Sequence, residues 1–223
     1  MAIRYPTNFP QRINLRVPFM AYDAQIQQGG HTYVEFGAPA AAATNNIVVL
    51  QDMTTAGTLT TFAAAYLPTN EAMMSRYGRR LQVVASGVST GTVNIRGRDY
   101  LGQVMLETFT LNGVTAVNGV KGFRYLDSIS WTATAAVNLT VGTTASLCVP
   151  YRAVSTTITN ELLNGTTTAA GALSVGSTAV QTATTTGPHG LYTPSVAPNG
   201  TNTYTLMYMT DQTNLHGNAH FFA

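Results

Sequence analysis

Charge is scarce in this 223-residue chain: eleven basic and nine acidic side chains make up 9% of it, against roughly 25% in an average soluble domain. The surface must therefore be covered by Thr, Asn, Ser, Gly and Gln, or by other protein. So few charges give little electrostatic protection against association, which favours a subunit that lives in an assembly. The formal charge of +2 is too small for a nucleic-acid footprint, so no direct nucleic-acid partner is expected. A single cysteine, Cys148, excludes an intrachain disulfide, and its place in Leu147-Cys148-Val149 reads as a buried small hydrophobe. No Cys/His cluster has zinc spacing. No apolar run approaches the ~20 residues of a membrane span, so no membrane partner is expected. The opening Met-Ala-Ile-Arg-Tyr-Pro lacks the basic and then apolar regions of a secretory signal. The expectation is a protein made and used in the cytoplasm, or assembled there into something that later leaves.

Catalytic patterns are equally sparse. The nine carboxylates stand singly, at 23, 35, 52, 71, 99, 107, 127, 161 and 211, and spacing alone does not supply the two facing carboxyls of a glycosidase. Asp99 lies beside a turn, where it can accept backbone hydrogen bonds or pair with Arg96 or Arg98. Histidines occur at 31, 189, 216 and 220. His216 and His220 are four apart, but Gly217-Asn218-Ala219 is a poor helix and no acidic third ligand is spaced nearby, so they read as exposed or interface residues. There is no Gly-x-Ser-x-Gly, and Gly87-Val88-Ser89-Thr90-Gly91-Thr92 lacks the lysine of a P-loop. Asn138-Leu139-Thr140 and Asn164-Gly165-Thr166 match the glycosylation triplet but carry no weight without a secretory signal. No catalytic residue, cofactor or metal site is assigned, and the chain reads as non-enzymatic.

What is present is strand grammar. Residues 94–131 hold alternating segments around the turn Leu111-Asn112-Gly113 and a second Asn-Gly at Asn118-Gly119, with Phe109 and Leu111, Phe123 and Tyr125, and Ile129 and Trp131 at alternate positions. A period of two punctuated by Asn-Gly predicts hairpins, here a β-meander over 104–131. Further strands are expected at Ile47–Leu50, Leu81–Ala85, Thr92–Asp99, Ala136–Val141, Ala145–Arg152 and Thr203–Met209. The one short helix falls within Leu67–Tyr77, capped by Thr69 or Asn70. Residues 155–187 are rich in Thr, Ala and Gly, with Glu161 the only charge from 156 to 186, and read as a polar loop with short strands at 173–175 and 178–182. Short, regularly spaced strands indicate an all-β fold with very little helix, an antiparallel β-sandwich of jelly-roll-like kind over residues 46–223.

Residues 1–45 differ from the rest. Pro6, Pro10 and Pro18 recur among Arg, Asn and Gln, and Gly29-Gly30 and Pro39 follow, so neither helix nor strand grammar is sustained. Proline fixes φ and removes a donor, which predicts an extended N-terminal arm. Its apolar side chains argue against simple disorder and for docking on a partner. The expected interface residues are Arg4, Tyr5, Phe9, Arg12, Ile13, Leu15, Arg16, Phe19 and Tyr22. A second basic cluster, Arg76, Arg79 and Arg80, is expected to meet carboxylates or carbonyls of neighbouring subunits.

Three runs carry a family resemblance. Gly97-Arg98-Asp99-Tyr100-Leu101-Gly102-Gln103 is followed by Glu107-Thr108-Phe109-Thr110-Leu111-Asn112-Gly113 and then by Val117-Asn118-Gly119-Val120-Lys121-Gly122-Phe123-Arg124-Tyr125-Leu126-Asp127-Ser128-Ile129. Together they resemble a recurrent segment of tailed-bacteriophage virion proteins, and Gly190–Gly200 resembles their C-terminal part. The resemblance implies a capsid decoration, or cement, protein: a β-rich subunit on the outside of the head, often a homotrimer, whose partners are the major capsid protein and copies of itself. It would stabilise the shell by bridging capsid subunits, through interface that only the assembled lattice offers. Two other readings stay open, a tail-tube, head-completion or fibre-base virion protein and a virion carbohydrate-binding module.

Overall fold

The structure, a computed structural model, describes residues 29–217 apart from 65, 67–69, 135 and 136. The nine expected interface residues, Arg4 through Tyr22, lie outside the described residues, as does His220. The strands run in order β1 (Gly29–Gly37), β2 (Ala43–Asp52), β3 (Gly57–Leu59), β4 (Arg79–Ala85), β5 (Thr92–Arg98), β6 (Val104–Thr110), β7 (Val117–Phe123), β8 (Tyr125–Trp131), β9 (Asn138–Cys148), β10 (Ala153–Leu163), β11 (Thr166–Thr167), β12 (Ala172–Leu173), β13 (Leu191–Thr193) and β14 (Tyr204–Asp211). The helix α1 (Glu71–Met74) lies between β3 and β4. Asn70 caps it, its side-chain oxygen accepting the Met73 N–H at 3.1 Å.

The fold is an all-β sandwich built from three antiparallel sheets. Their orders are β1-β14-β10-β11, then β12-β13-β9-β4-β7 with β2 also paired to β9, then β3-β8-β5-β6. β9 organises the interior. Along one of its faces Leu139 and Val141 pack in a core with Leu81 and Val83 of β4, Val93 and Ile95 of β5, Phe109 of β6 and Ile129 of β8. Farther along the same face, Leu147 enters a second core with Val34, Phe36, Tyr192, Tyr204, Leu206 and Tyr208. The middle sheet thus covers the third sheet with one part of its inner face and the first sheet with another. Alternating burial on β4, where Arg79, Leu81, Val83 and Ala85 point inward, is what allows one strand to face a core on one side only.

Four expectations change. The sequence ends the arm near residue 45, but β1 and β2 are paired strands from Gly29 onward. β1 buries only Val34 and Phe36 and exposes Tyr33 and Glu35, an alternation too short to stand out between glycines. The expected meander is not one: β6 pairs with β5 and β8 with β5 on its other side, while β7 joins β4 in the middle sheet. The Leu111-Asn112-Gly113 turn is real, with Gly113 at φ +59°. Its amides bond the preceding β4–β5 turn, Leu111 N–H to Gly91 O and Gly113 N–H to Ser89 O, and that contact sends the chain across the sandwich.

The third change is that the two strands expected over 136–152 are, through Cys148, the single strand β9. Gly142, which looks like a break, is where β2 crosses: a Cβ there would lie 1.9 Å from Ala43 O. Fourth, the first part of the expected Thr-rich loop, through Leu163, belongs to β10, eleven residues paired mainly to β14. Thr is β-branched and fits a half-exposed pleated surface despite its polarity. Glu161, inward on β10, is buried and accepts hydrogen bonds from the Gly171 and Ser195 amides, so it pins the loops on either side of β12 and β13. Residues 178–182 form no named strand.

Candidate functional site

Asn118-Gly119 lies inside β7 and marks a bulge. Arg80 pairs with Gly122 and Gln82 with Asn118, so one residue of β4 is matched by three of β7. A bulge leaves backbone groups without ladder partners, and side chains satisfy them here. Glu107 Oε2 accepts the Val120 N–H at 2.8 Å, and Arg80 Nε donates to Gly119 O at 2.6 Å. The Gly187 N–H reaches Val120 O at 3.2 Å. Glycine is required at 119 because a Cβ would meet Glu107 Oε2 at 2.1 Å.

A groove of about 250 Å³ opens beside this bulge across the outer face of the middle sheet, lined by Arg80, Gly119, Val120, Ser146, Leu173, Ser174, Leu191 and Thr193 among others. Ser146 Oγ and Thr193 Oγ1 share a hydrogen bond of 2.7 Å. Ser174 Oγ accepts the Leu191 N–H at 2.8 Å, which leaves its own proton to donate. Arg80 is half-buried, and among the described residues the only hydrogen bond of its side chain is through Nε, so neither terminal nitrogen has a partner among them. Burial lowers its pKa, with the Glu107 charge acting in the opposite sense.

Behind the bulge sits a buried polar group of residues. Glu107 is 2% exposed and Lys121 1%. Lys121 Nζ donates to Gln181 Oε1 at 2.9 Å, and Gln181 Nε2 donates to the Ala179 and Thr186 carbonyls. The 174–190 loop is thereby tied to β7 and, through Glu107, to β6. Burial pushes the Glu107 carboxyl up to about 7, against the Val120 amide and the Lys121 charge. It brings Lys121 down to about 8, with Glu107 opposing. Each group thus holds its charge less firmly than in water, and Glu107 Oε1 has no hydrogen-bond partner. Both features fit a structural tie between sheets, with a cost in desolvation.

A second cluster lies at the far end of the same loop. His189 is buried, its ring 5.5 Å from that of Tyr100 and 6.3 Å from that of His216. Tyr100 Oη donates to Pro150 O and lies 3.3 Å from His216 Nδ1. Burial, with the His216 charge, lowers the His189 pKa to about 4, so the imidazole is neutral in ordinary buffers. Cys148 is buried as its sequence context suggests, and burial raises its thiol pKa. Asp99 takes the backbone role open to it, accepting the Leu101 and Gln103 amides at 2.9 Å, while Arg98 pairs with Asp127 at 3.3 Å. Among the described residues no group of three His, Cys, Asp or Glu is placed to hold a metal ion.

Of the second basic cluster, Arg79 is committed within the chain. Arg79 is fully buried at the seam of the two cores, donating to Thr144 O at 2.7 Å and Met73 O at 2.9 Å. Arg76 is exposed, with its guanidinium 5.9 Å from the centre of the Tyr77 ring. Sequence reasoning missed Arg80, Glu107 and Lys121 as a group. The available signal was Glu107 itself, an acid on the inward face of β6 between Met105 and Phe109, and the glycine interrupting an alternating run at 119. No family model, no curated protein and no solved structure matches the chain.

Proposed function

We propose that the chain is a non-enzymatic structural protein of a tailed-phage particle, a decoration subunit that binds the outer capsid surface and bridges capsid subunits. The observation that carries this reading is an apolar bulge on β2. Among the described residues β2 pairs as a strand only with β9, and its register slips between Val48 and Gln51, so the consecutive side chains Val49 and Leu50 both point outward, 58% and 66% exposed. Two adjacent aliphatic side chains on an open strand are a surface awaiting another protein. The scarcity of charge and the phage-like runs of residues 97–129 and 190–200 support the same reading. Its function is clamping: binding energy available only on the assembled lattice stabilises that lattice, and no bond is made or broken.

The decisive experiment locates the chain in purified particles and counts its copies by quantitative mass spectrometry and cryo-electron microscopy. Copies on the head surface, grouped in threes, are the expected result. A closed ring at the neck or in the tail would replace the reading with a tail-tube or head-completion role, and glycan binding without capsid binding would replace it with a carbohydrate-binding one. Deleting residues 1–22 should abolish sedimentation with capsids while the circular-dichroism melting curve of the β domain is retained. Unchanged saturation of capsids by the truncated protein would remove the arm from the mechanism.

A further inference from the structure

We infer that the groove beside the β7 bulge is a carboxylate-recognition site whose occupant is the acidic side chain of an Asp- or Glu-bearing segment of a partner protein. Arg80 supplies the charge. Its Nε is committed to Gly119 O, which fixes the guanidinium plane, and the two terminal nitrogens have no partner among the described residues. A planar fork held in this way is the donor geometry that takes a carboxylate with two parallel hydrogen bonds. No ion pair among the described residues involves Arg80, and the acid nearest in effect, Glu107, is buried behind the bulge and spends Oε2 on the Val120 amide.

The rest of the lining selects the same chemistry. One proton of the Ser146–Thr193 hydroxyl pair remains to donate outward, as does that of Ser174. No Asp, Glu or His lines the groove, so it offers donors to an acceptor-rich group and no anionic side chain to a cation. Its apolar walls are Val120, Leu173 and Leu191, aliphatic surfaces suited to a methylene stem. No aromatic ring is present for a sugar face to stack on, which favours an acidic side chain over a saccharide. The volume of about 250 Å³ is close to the lower end of small-ligand pockets, roughly 300 Å³, and has room for an acidic side chain. The inference rests on the groove alone and is independent of the virion reading.

The test is a titration of the full-length, isotopically labelled protein followed by amide chemical shifts. Glutarate is the probe, glutaramide its uncharged counterpart, and glucuronate the saccharide control. Glutarate should shift the amides of Gly119, Val120, Ser146 and Thr193 while glutaramide leaves them in place. Arg80→Gln should weaken glutarate binding roughly tenfold to a hundredfold, the loss expected for a charge-assisted pair, and Arg80→Lys should weaken it less. Because Arg80 also satisfies Gly119 O, Thr193→Val serves as a second variant that leaves the bulge intact, and it too should reduce glutarate affinity. Equal shifts with glutaramide, no shifts with glutarate, or shifts with glucuronate alone would each overturn the assignment.

Discussion

Gly119 and Glu107 are fitted to one another at the level of single atoms. The space a methyl group would need at 119 is held by Glu107 Oε2 at 2.1 Å and Phe109 Cζ at 3.0 Å, both buried. Gly119→Ala should therefore destabilise the fold by about 1–3 kcal/mol, the usual cost of overpacking. The Gly119→Ala/Glu107→Ala double variant should lose less than the two singles added together, since removing the carboxylate vacates the space; urea unfolding of the four proteins measures the coupling. Glu107 also shapes the pH profile. Held neutral by burial up to about 7 in the fold, against an ordinary 4.5, it contributes stability that is full below pH 4.5 and is lost as pH rises to about 7. His189, lowered by burial from 6.5 to about 4, contributes stability that is present above pH 6.5 and is lost as pH falls through 4. Between 4.5 and 6.5 the two oppose each other. Glu107→Gln leaves His189 unopposed, so the variant should lose on the order of 2 kcal/mol relative to the parent between pH 6.5 and 4.5. Lys121 titrates higher, near 8, and stays out of that window. Parallel curves for variant and parent across this range would disprove the opposition.

The elements show where sequence is readable and where it is not. β4, β5 and β14 alternate cleanly between buried and exposed positions, and their period of two is visible in the chain. The Asn70 cap was legible for the same reason, because its donor lies three residues away. What could not be read is which strands become neighbours. That depends on contacts such as Gly113 with Ser89 and the crossing of β2 over Gly142, each between residues tens of positions apart. The Asn118-Gly119 dipeptide illustrates the ambiguity: the same pair serves a hairpin turn or a bulge, and only Glu107 and Arg80, brought in from other strands, make it a bulge. The groove was illegible because its lining comes from β4, β7, β9, β12, β13 and the loops beside them. Gly142→Ala should lift β2 from β9, because the added Cβ would meet the backbone of Ala43 and Thr44 with no flexible side chain to yield. Hydrogen exchange should accelerate in the β2 amides bonded to β9 while β5 and β8 keep their protection, with a global loss of about 1–3 kcal/mol. Uniform acceleration across all three sheets would mean that β2 opens only with the whole fold.

For the molecule as a whole, several of the charged side chains among the described residues are spent internally. Arg79 supports the seam between the cores, Arg152 pairs with Asp211 where β10 begins beside the end of β14, and Glu107, Lys121 and Glu161 are buried ties. Glu35, Asp52, Glu71, Arg76, Arg96 and Arg98 remain exposed among the described residues, and so does the Val49–Leu50 bulge. The Val49→Asp/Leu50→Asp double variant should change intrinsic stability by only roughly 0.5 kcal/mol, as surface substitutions do, while abolishing capsid binding or self-association as read by sedimentation. Full binding by that variant would move the contact elsewhere on the surface. The pairing of β1 with β14 has a mechanical consequence. Gly29 lies opposite Asp211 and the register runs inward from there, so chain entering β1 and chain leaving β14 emerge side by side at one corner. Tension applied between these two points would load the ladder one bridge at a time and unzip it, whereas strands pulled from opposite ends resist by sharing the load. A tether attached through residues 1–28 would thus transmit little force before β1 peeled away, and the two cores behind it would be spared.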